Sequence, residues 1–257
     1  MAKVIVSTGR GGSGKTTFIA LATKYLSSSN YPSLVIDLDG DQSLADMLGI
    51  DLGNENVKTI LDVLFDLRKG KAYEELKSMP MPQKIEYLLH SDCVYESGKF
   101  DLITLGVKWT SGCYCLPNDL LRGIIPGMAQ SYGYMLVDTP GGLEHLNRKV
   151  ISEIDDLFVV LDPSLKAIKN VQRTQKLTSD IGIKCKNFYL VSNYKFGSDS
   201  EELVEHIDGA SYLGKIGYDA DVENYNLLGK SLLDLPENSP AYLSVIQILT
   251  KAGYKTN

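Results

Sequence analysis

The chain has 257 residues, with 26 basic and 32 acidic side chains and a formal net charge of −6. Its hydrophobic fraction of 44% and charged fraction of 23% are ordinary for a globule with one large core, which excludes disordered, collagen-like and disulfide-scaffold classes. The mild acidity argues against general nucleic-acid binding, leaving room only for a local basic patch. Single α/β domains commonly reach this length, so one domain spanning 1–257 is expected. No apolar run approaches the ~18 residues of a bilayer span. Met1 to Gly9 lacks the apolar core and cleavage site of a signal peptide, which predicts a cytoplasmic chain with no stable membrane anchor. Thiols stay reduced there, so Cys93, Cys113, Cys115 and Cys185 read as free thiols or metal ligands.

In chain order, Lys3–Ser7 reads as a first strand and Thr16–Leu26 as a helix with apolar residues at helical spacing. Ser33–Asp37 is a buried strand ending in acids. A helical insertion covers 57–92, broken at Met79-Pro-Met-Pro82. Leu102–Leu105 and Tyr134–Asp138 are further strands, with a helix over Asn118–Ile125 between them. Leu157–Leu161 and Phe188–Ser192 follow, with Lys215–Gly217 a weak last candidate. Near-continuous apolar strands separated by helices predict an α/β fold: a mostly parallel central sheet flanked by helices on both faces. Ligands of such sheets sit at the carboxyl ends of the strands. There the sequence places Gly9 onward, Asp37 to Asp41, Asp138 onward and Asn193.

Gly9-Arg-Gly-Gly-Ser-Gly14-Lys15-Thr16 matches G-x-x-x-x-G-K-[ST] between a predicted strand and helix, the context this phosphate-binding loop requires. Backbone amides of Gly11, Gly12, Ser13 and Gly14 can curl around a phosphate, helped by the positive end of the helix. Lys15 can neutralise β and γ phosphates, Thr16 can ligate Mg²⁺, and Thr17 can contact the α phosphate. The apolar run Tyr134–Val137 ends in Asp138 and leads into Thr-Pro-Gly-Gly142, an acid suited to holding Mg²⁺ through water and a hinge that can sense the γ-phosphate. Asp37, Asp39 and Asp41 close the second strand; three acids in five residues also occur as a plain solvated turn.

The run Gly9–Thr17 resembles the deviant phosphate loop, GKGGxGKTT, of the MinD/ParA/nitrogenase-iron-protein ATPases, a P-loop NTPase class. The resemblance implies ATP hydrolysis in a nucleotide-sandwiched homodimer. The class's first lysine reaches the partner's phosphates; Arg10 stands here, keeping the charge and adding a bidentate fork. By the same match Asp39 would position the attacking water, while Asp37 and Asp41 would serve Mg²⁺ or structure. Asn193 would hydrogen-bond adenine, although the proline usual in the later segment is replaced by Ile216-Gly217-Tyr218-Asp219, and an ordinary turn asparagine is the alternative.

Cys113-Tyr-Cys115 offers two thiolates where Zn²⁺ and thiophilic metals usually want four. A twofold dimer would supply the other two; on spacing alone, two small buried residues beside a helix are the preferred reading. Gly112-Cys-Tyr-Cys115, with Asn118 and Leu120-Leu-Arg122, resembles the C-x-C segment of CooC-type ATPases, the nickel-insertion accessory proteins of carbon monoxide dehydrogenase and acetyl-CoA synthase. Gly142-Leu-Glu144-His145-Leu-Asn-Arg148 resembles their G-x-E-H-x-x-R stretch. The resemblance implies Ni²⁺, with Zn²⁺ as competitor, held by Cys113 and Cys115 across a dimer, and a nickel enzyme as client. Glu144 and His145 could couple nucleotide state to the metal, or His145 could simply be a surface histidine. His90, Asp92 and Cys93 form a weaker metal candidate, more simply a loop thiol among polar neighbours, and Trp109 is a packing residue or a reporter on Cys113. The alternative function is a positioning or partition ATPase. It would call for a basic amphipathic tail or a positive surface, which Ala241–Leu249 and the composition do not display. A thiolate-ligated iron–sulfur protein is a third reading.

Overall fold

The computed structural model describes residues 2–70, 76–107, 115–142 and 150–255, the side chains of 115–120 excepted. Its strands are β1 (Lys3–Gly9), β2 (Ser33–Asp37), β3 (Val94–Glu96), β4 (Phe100–Thr104), β5 (Tyr134–Asp138), β6 (Glu153–Leu161), β7 (Lys184–Ser192) and β8 (Ser211–Lys215). They form one sheet of order β3-β4-β2-β5-β1-β6-β7-β8. All pairings are parallel except β3 with β4. The helices are α1 (Lys15–Leu26), α2 (Ser43–Met47), α3 (Ile60–Arg68), α4 (Met81–Asp92), α5 (Cys115–Met128), α6 (Leu165–Asp180), α7 (Ser198–Glu205), α8 (Ala220–Leu228) and α9 (Pro240–Lys251).

The strand residues alternate between two cores, as pleating requires. Val6, Leu34, Ile36, Leu157 and Val159 join one cluster, packed under residues of α3, α4, α5 and α6. Ile5, Val35, Phe158 and Val160 face the other, under α1, α2 and α9. Helices therefore cover both faces, and the strands read as apolar runs for that reason.

Several expectations shift. The sequence reading omits β3, a three-residue, partly exposed strand whose hairpin to β4 turns at Gly98 with φ 78°. Strands β6 and β7 start earlier than their apolar runs because their polar halves pair through side chains. Lys184 reaches Glu153 at 2.7 Å, Lys186 reaches Asp155 at 2.5 Å, and Asn187 donates to Asp156 at 2.7 Å. Strand β8 shares only Lys215 with the expected Lys215–Gly217 and otherwise lies before it. The break at 79–82 is real: Pro80 is the N-cap of α4 and Pro82 lies in its first turn. Helix α3 opens with a reciprocal capping box between Thr59 and Asp62.

Candidate active site

Strand β1 lies between β5 and β6, so the loop leaving it at Gly9 emerges at the centre of the carboxyl edge. Gly9 carries φ 149°, Gly12 72° and Gly14 101°, conformations open to glycine and strained for other residues. A Cβ on Gly9 would also strike the Val160 carbonyl. The loop curls into α1, whose first turn carries Lys15, Thr16 and Thr17. Lys15 is buried, and its Nζ donates to the Arg10 carbonyl at 3.2 Å. Burial lowers the Lys15 pKa, with Asp138 and Asp39 opposing the shift.

The registers place Asp37 of β2 directly beside Asp138 of β5. Both are fully buried. Asp37 accepts from the Asp39 N–H at 2.9 Å and the Leu44 N–H at 3.2 Å, so it shapes the acidic turn and anchors α2. Its carboxyl is raised well above the usual range, first by burial and then by the Asp138 charge. Asp138 Oδ2 accepts the Thr16 hydroxyl at 2.7 Å, while the buried Oδ1 has no hydrogen-bond partner among the described residues. Burial pushes the Asp138 carboxyl up to about 7, against the pull of the Thr16 hydroxyl and Lys15. Asp39 is half-buried and Asp41 exposed; the Asp41 N–H donates to Asp39 at 3.3 Å.

The segment after Asp138 is clasped to the phosphate loop. Thr139 donates its hydroxyl to the Ser7 carbonyl at 2.6 Å, and the Gly142 N–H donates to the Gly9 carbonyl at 3.0 Å. A Cβ on Gly141 would lie 2.9 Å from the Gly11 nitrogen, so this approach needs glycine. Arg10 is held within its own chain: its Nη1 donates to Asp162 at 3.0 Å and to Ser164, the N-cap of α6, at 3.0 Å. Nothing in the sequence near Arg10 signals this tie, which spans 152 residues.

A cavity runs from Gly12, Gly14 and Thr17 to Asn193, Tyr218 and Val222. Asn193 is buried at the end of β7, its Oδ1 accepting from the Lys195 N–H at 3.1 Å. A Cβ at position 217 would lie 3.0 Å from the Pro240 carbonyl oxygen, which explains the glycine there. Tyr194 and Tyr218, with ring centroids 5.4 Å apart, line the cavity; Tyr218 belongs to the 216–219 stretch named above, while Tyr194 carries no sequence signal. Asp219 caps α8 and accepts the hydroxyl of Ser239, the N-cap of α9, so one carboxylate fixes two helices at the cavity wall.

Cys113, Glu144, His145 and Trp109 lie outside the described residues; Cys115 begins α5, its side chain likewise. The His90–Asp92–Cys93 candidate dissolves. Cys93 is not a loop thiol but a fully buried core residue at the end of α4, its thiol pushed up to about 12 by burial. Asp92 pairs with Lys58 at 3.2 Å, and His90 is exposed. Among the described residues no group of three His, Cys, Asp or Glu is arranged to hold a metal.

Comparison with known proteins agrees with this geometry. A family described as "AAA domain" matches residues 1–188. An uncharacterized ATP-binding protein of Methanocaldococcus jannaschii is 34% identical, covering 96% of this chain and 97% of its own length. The carbon monoxide dehydrogenase accessory protein CooC of Rhodospirillum rubrum is 26% identical, covering 92% and 90%. Among solved structures, the septum site-determining protein MinD of Pyrococcus horikoshii, in complex with Mg-ADP, superposes with TM-score 0.71 at 18% identity, covering 98% of this chain and 96% of its own. The chain belongs to this AAA-domain family of P-loop ATPases. It is an ATP-hydrolysing enzyme with a MinD-like fold, and ATP, ADP and Mg²⁺ are the ligands expected of it.

Proposed function

We propose that this chain is an ATP-driven metallochaperone: a homodimer that carries Ni²⁺, with Zn²⁺ as competitor, on Cys113 and Cys115 of each copy, toward a nickel enzyme of the carbon monoxide dehydrogenase or acetyl-CoA synthase kind. The observation that carries the proposal is topological. Helix α5 begins at Cys115, and the chain enters it from the carboxyl end of β4, the strand paired with β2 and its Asp37–Asp41 turn. The described chain leaves β4 at the sheet edge that bears the phosphate loop, and α5 is the next element described. The resemblance of that segment and the accessory-protein relative support the cargo.

In this reading the amides of Gly11, Gly12, Ser13 and Gly14, with Lys15 and Thr17, hold the phosphates, and Asn193 lines the base pocket. Thr16 and Asp138 fit Mg²⁺: a hydroxyl and a buried carboxylate meet there, and Asp138 Oδ1 is an orphaned acceptor. When bound, that ion neutralises charge on the β and γ phosphates. Asp39 orients the water whose oxygen attacks the γ phosphorus as the bond to the bridging oxygen breaks. Lys15 meets the developing negative charge. Arg10 leaves Asp162 and turns to the partner's phosphates when the dimer closes. The clasp between Gly142 and Gly9 gives the second switch a contact that hydrolysis can break. Metal affinity then differs between the two dimer geometries, so ATP drives loading or release by population shift.

The test is metal titration of anaerobically purified protein with sizing in parallel, for wild type and Cys113→Ala/Cys115→Ala, with and without Mg-ATP. One Ni²⁺ or Zn²⁺ per two chains, lost in the double variant and altered by nucleotide, is the expected result. No binding, or binding indifferent to the cysteines, returns them to packing and leaves an ATPase of the MinD/ParA kind.

A further inference from the structure

We infer that the outer face of α6 is a docking surface for a carboxylate-rich segment of a partner protein, seated beside the phosphate loop. The helix carries Lys166, Lys169, Arg173 and Lys176 at intervals of three, four and three residues, which places them on one face. All four are exposed, while Ala167, Val171, Thr174 and Thr178 on the opposite face are buried. At 1.5 Å per residue the stripe is about 15 Å long. No acid occurs on α6 before Asp180, and among the described residues no salt bridge engages any of the four cations. In a chain of net charge −6 this is a concentrated field of opposite sign.

The stripe leads to the active site. Lys166, Lys169 and Arg173 share an open cavity with Arg10, Gly11 and Gly141, so an occupant at its N-terminal end lies against the phosphate loop and the second switch. Leu165, the first residue of α6, is 74% exposed beside the same cations. An exposed leucine among lysines suits a protein segment, whose apolar side chain can cover it while its acids pair with the stripe. It does not suit a nucleic-acid backbone, which presents only phosphate and sugar along a groove. Helix α7 adds the exposed Asp199, Glu202 and Glu205 beyond the loop that Gln175 of α6 holds through the Asp208 carbonyl, while its Glu201 is paired with Lys215. Those acids would repel a polyanion wider than one helix face. Carboxylates spaced one helical turn apart match the cations one to one.

The inference depends on the ATPase site and not on the metal cargo. The probe is a fluorescein-labelled helical peptide with four glutamates and one leucine on one face, read by anisotropy. Binding to the wild-type protein should weaken with salt and fall about tenfold or more in Lys169→Glu/Arg173→Glu. It should persist in Lys99→Glu/Lys255→Glu, which reverses exposed lysines elsewhere. ATP hydrolysis without peptide, and the melting temperature, should match wild type in both variants, which separates this inference from the function proposed above. A labelled DNA duplex and phosphatidylglycerol vesicles serve as parallel probes. Equal peptide binding by wild type and the Lys169→Glu/Arg173→Glu variant overturns the inference. So does stripe-dependent binding of duplex or vesicles without binding of peptide, and so does loss of ATP-dependent dimerisation in that variant, which would make a second copy the occupant.

Discussion

Asp138 gives the sharpest energetic prediction. In the ligand-free fold its carboxyl is buried with one oxygen unpartnered, and its pKa rises from 3.8 to about 7. Between those two pH values the folded chain holds a proton that the unfolded chain has released. Stability therefore falls as pH rises through this window, and the loss is complete above about 7. Three units at about 1.4 kcal/mol each make the ionised Asp138 about 4 kcal/mol unfavourable at pH 8. The substitution Asp138→Asn removes that charge and also relieves Asp37, while its carbonyl can still accept the Thr16 hydroxyl. Its amide must find a partner, at about 1 to 3 kcal/mol if it does not. The nucleotide-free variant should then exceed wild type at pH 8 by about 1 to 3 kcal/mol, or several degrees of melting temperature at about 2 to 4 °C per kcal/mol. Its advantage should shrink by about 3 kcal/mol between pH 8 and pH 5, a difference free of the amide cost. Thermal unfolding from pH 5 to pH 8 without metal or nucleotide reads this directly. Curves for variant and wild type that run parallel in pH would refute the reasoning.

Other predictions concern the same edge. Arg10→Ala should lower hydrolysis by about a thousandfold, as an arginine acting on a transferring phosphoryl group does, with ATP binding changed only a few-fold in a filter or fluorescence assay. Gly141→Ala places a methyl 2.9 Å from the Gly11 nitrogen; it should cost about 1 to 3 kcal/mol in denaturant unfolding and depress hydrolysis. Cys93, buried with its thiol raised to about 12, should resist a thiol reagent at neutral pH until the chain unfolds, as alkylation with mass mapping will show. Tyr254→Phe removes the hydroxyl that donates to buried Asp156, which Lys3 also meets at 2.9 Å; about 1 to 3 kcal/mol should be lost in unfolding experiments.

The site was legible where its signal is local. The glycine spacing before Lys15, the acids closing β2 and the acid closing β5 follow apolar strands, and a parallel sheet gathers strand ends onto one edge. Adjacency of Asp37 and Asp138 could not be read, because it depends on β5 inserting between β1 and β2. Arg10 shows the same limit. Its charge invited a role toward phosphate, yet its partners Asp162 and Ser164 come from the far end of β6 and the start of α6. Cys93 misled because polar neighbours suggest a loop, whereas the end of α4 turns that thiol into the core. The polar halves of β6 and β7 escaped an apolar criterion because cross-strand ion pairs and the Asn187 hydrogen bond to buried Asp156 join them. The basic stripe on α6 emerges only when helical spacing is combined with knowledge of which face the sheet covers.

The central claim is that nucleotide state and metal affinity are linked through this sheet edge. It is tested most directly by equilibrium competition of Ni²⁺ and Zn²⁺ against a chromophoric chelator, with protein free of nucleotide, with Mg-ADP, and with Mg-ATP on the Asp39→Asn variant, in which the role proposed for Asp39 predicts arrested hydrolysis. The account predicts that metal affinity differs between the ATP and nucleotide-free states by about tenfold, about 1.4 kcal/mol of coupling. It also predicts that the difference vanishes in Cys113→Ala/Cys115→Ala. The same affinity in all three nucleotide states would contradict it.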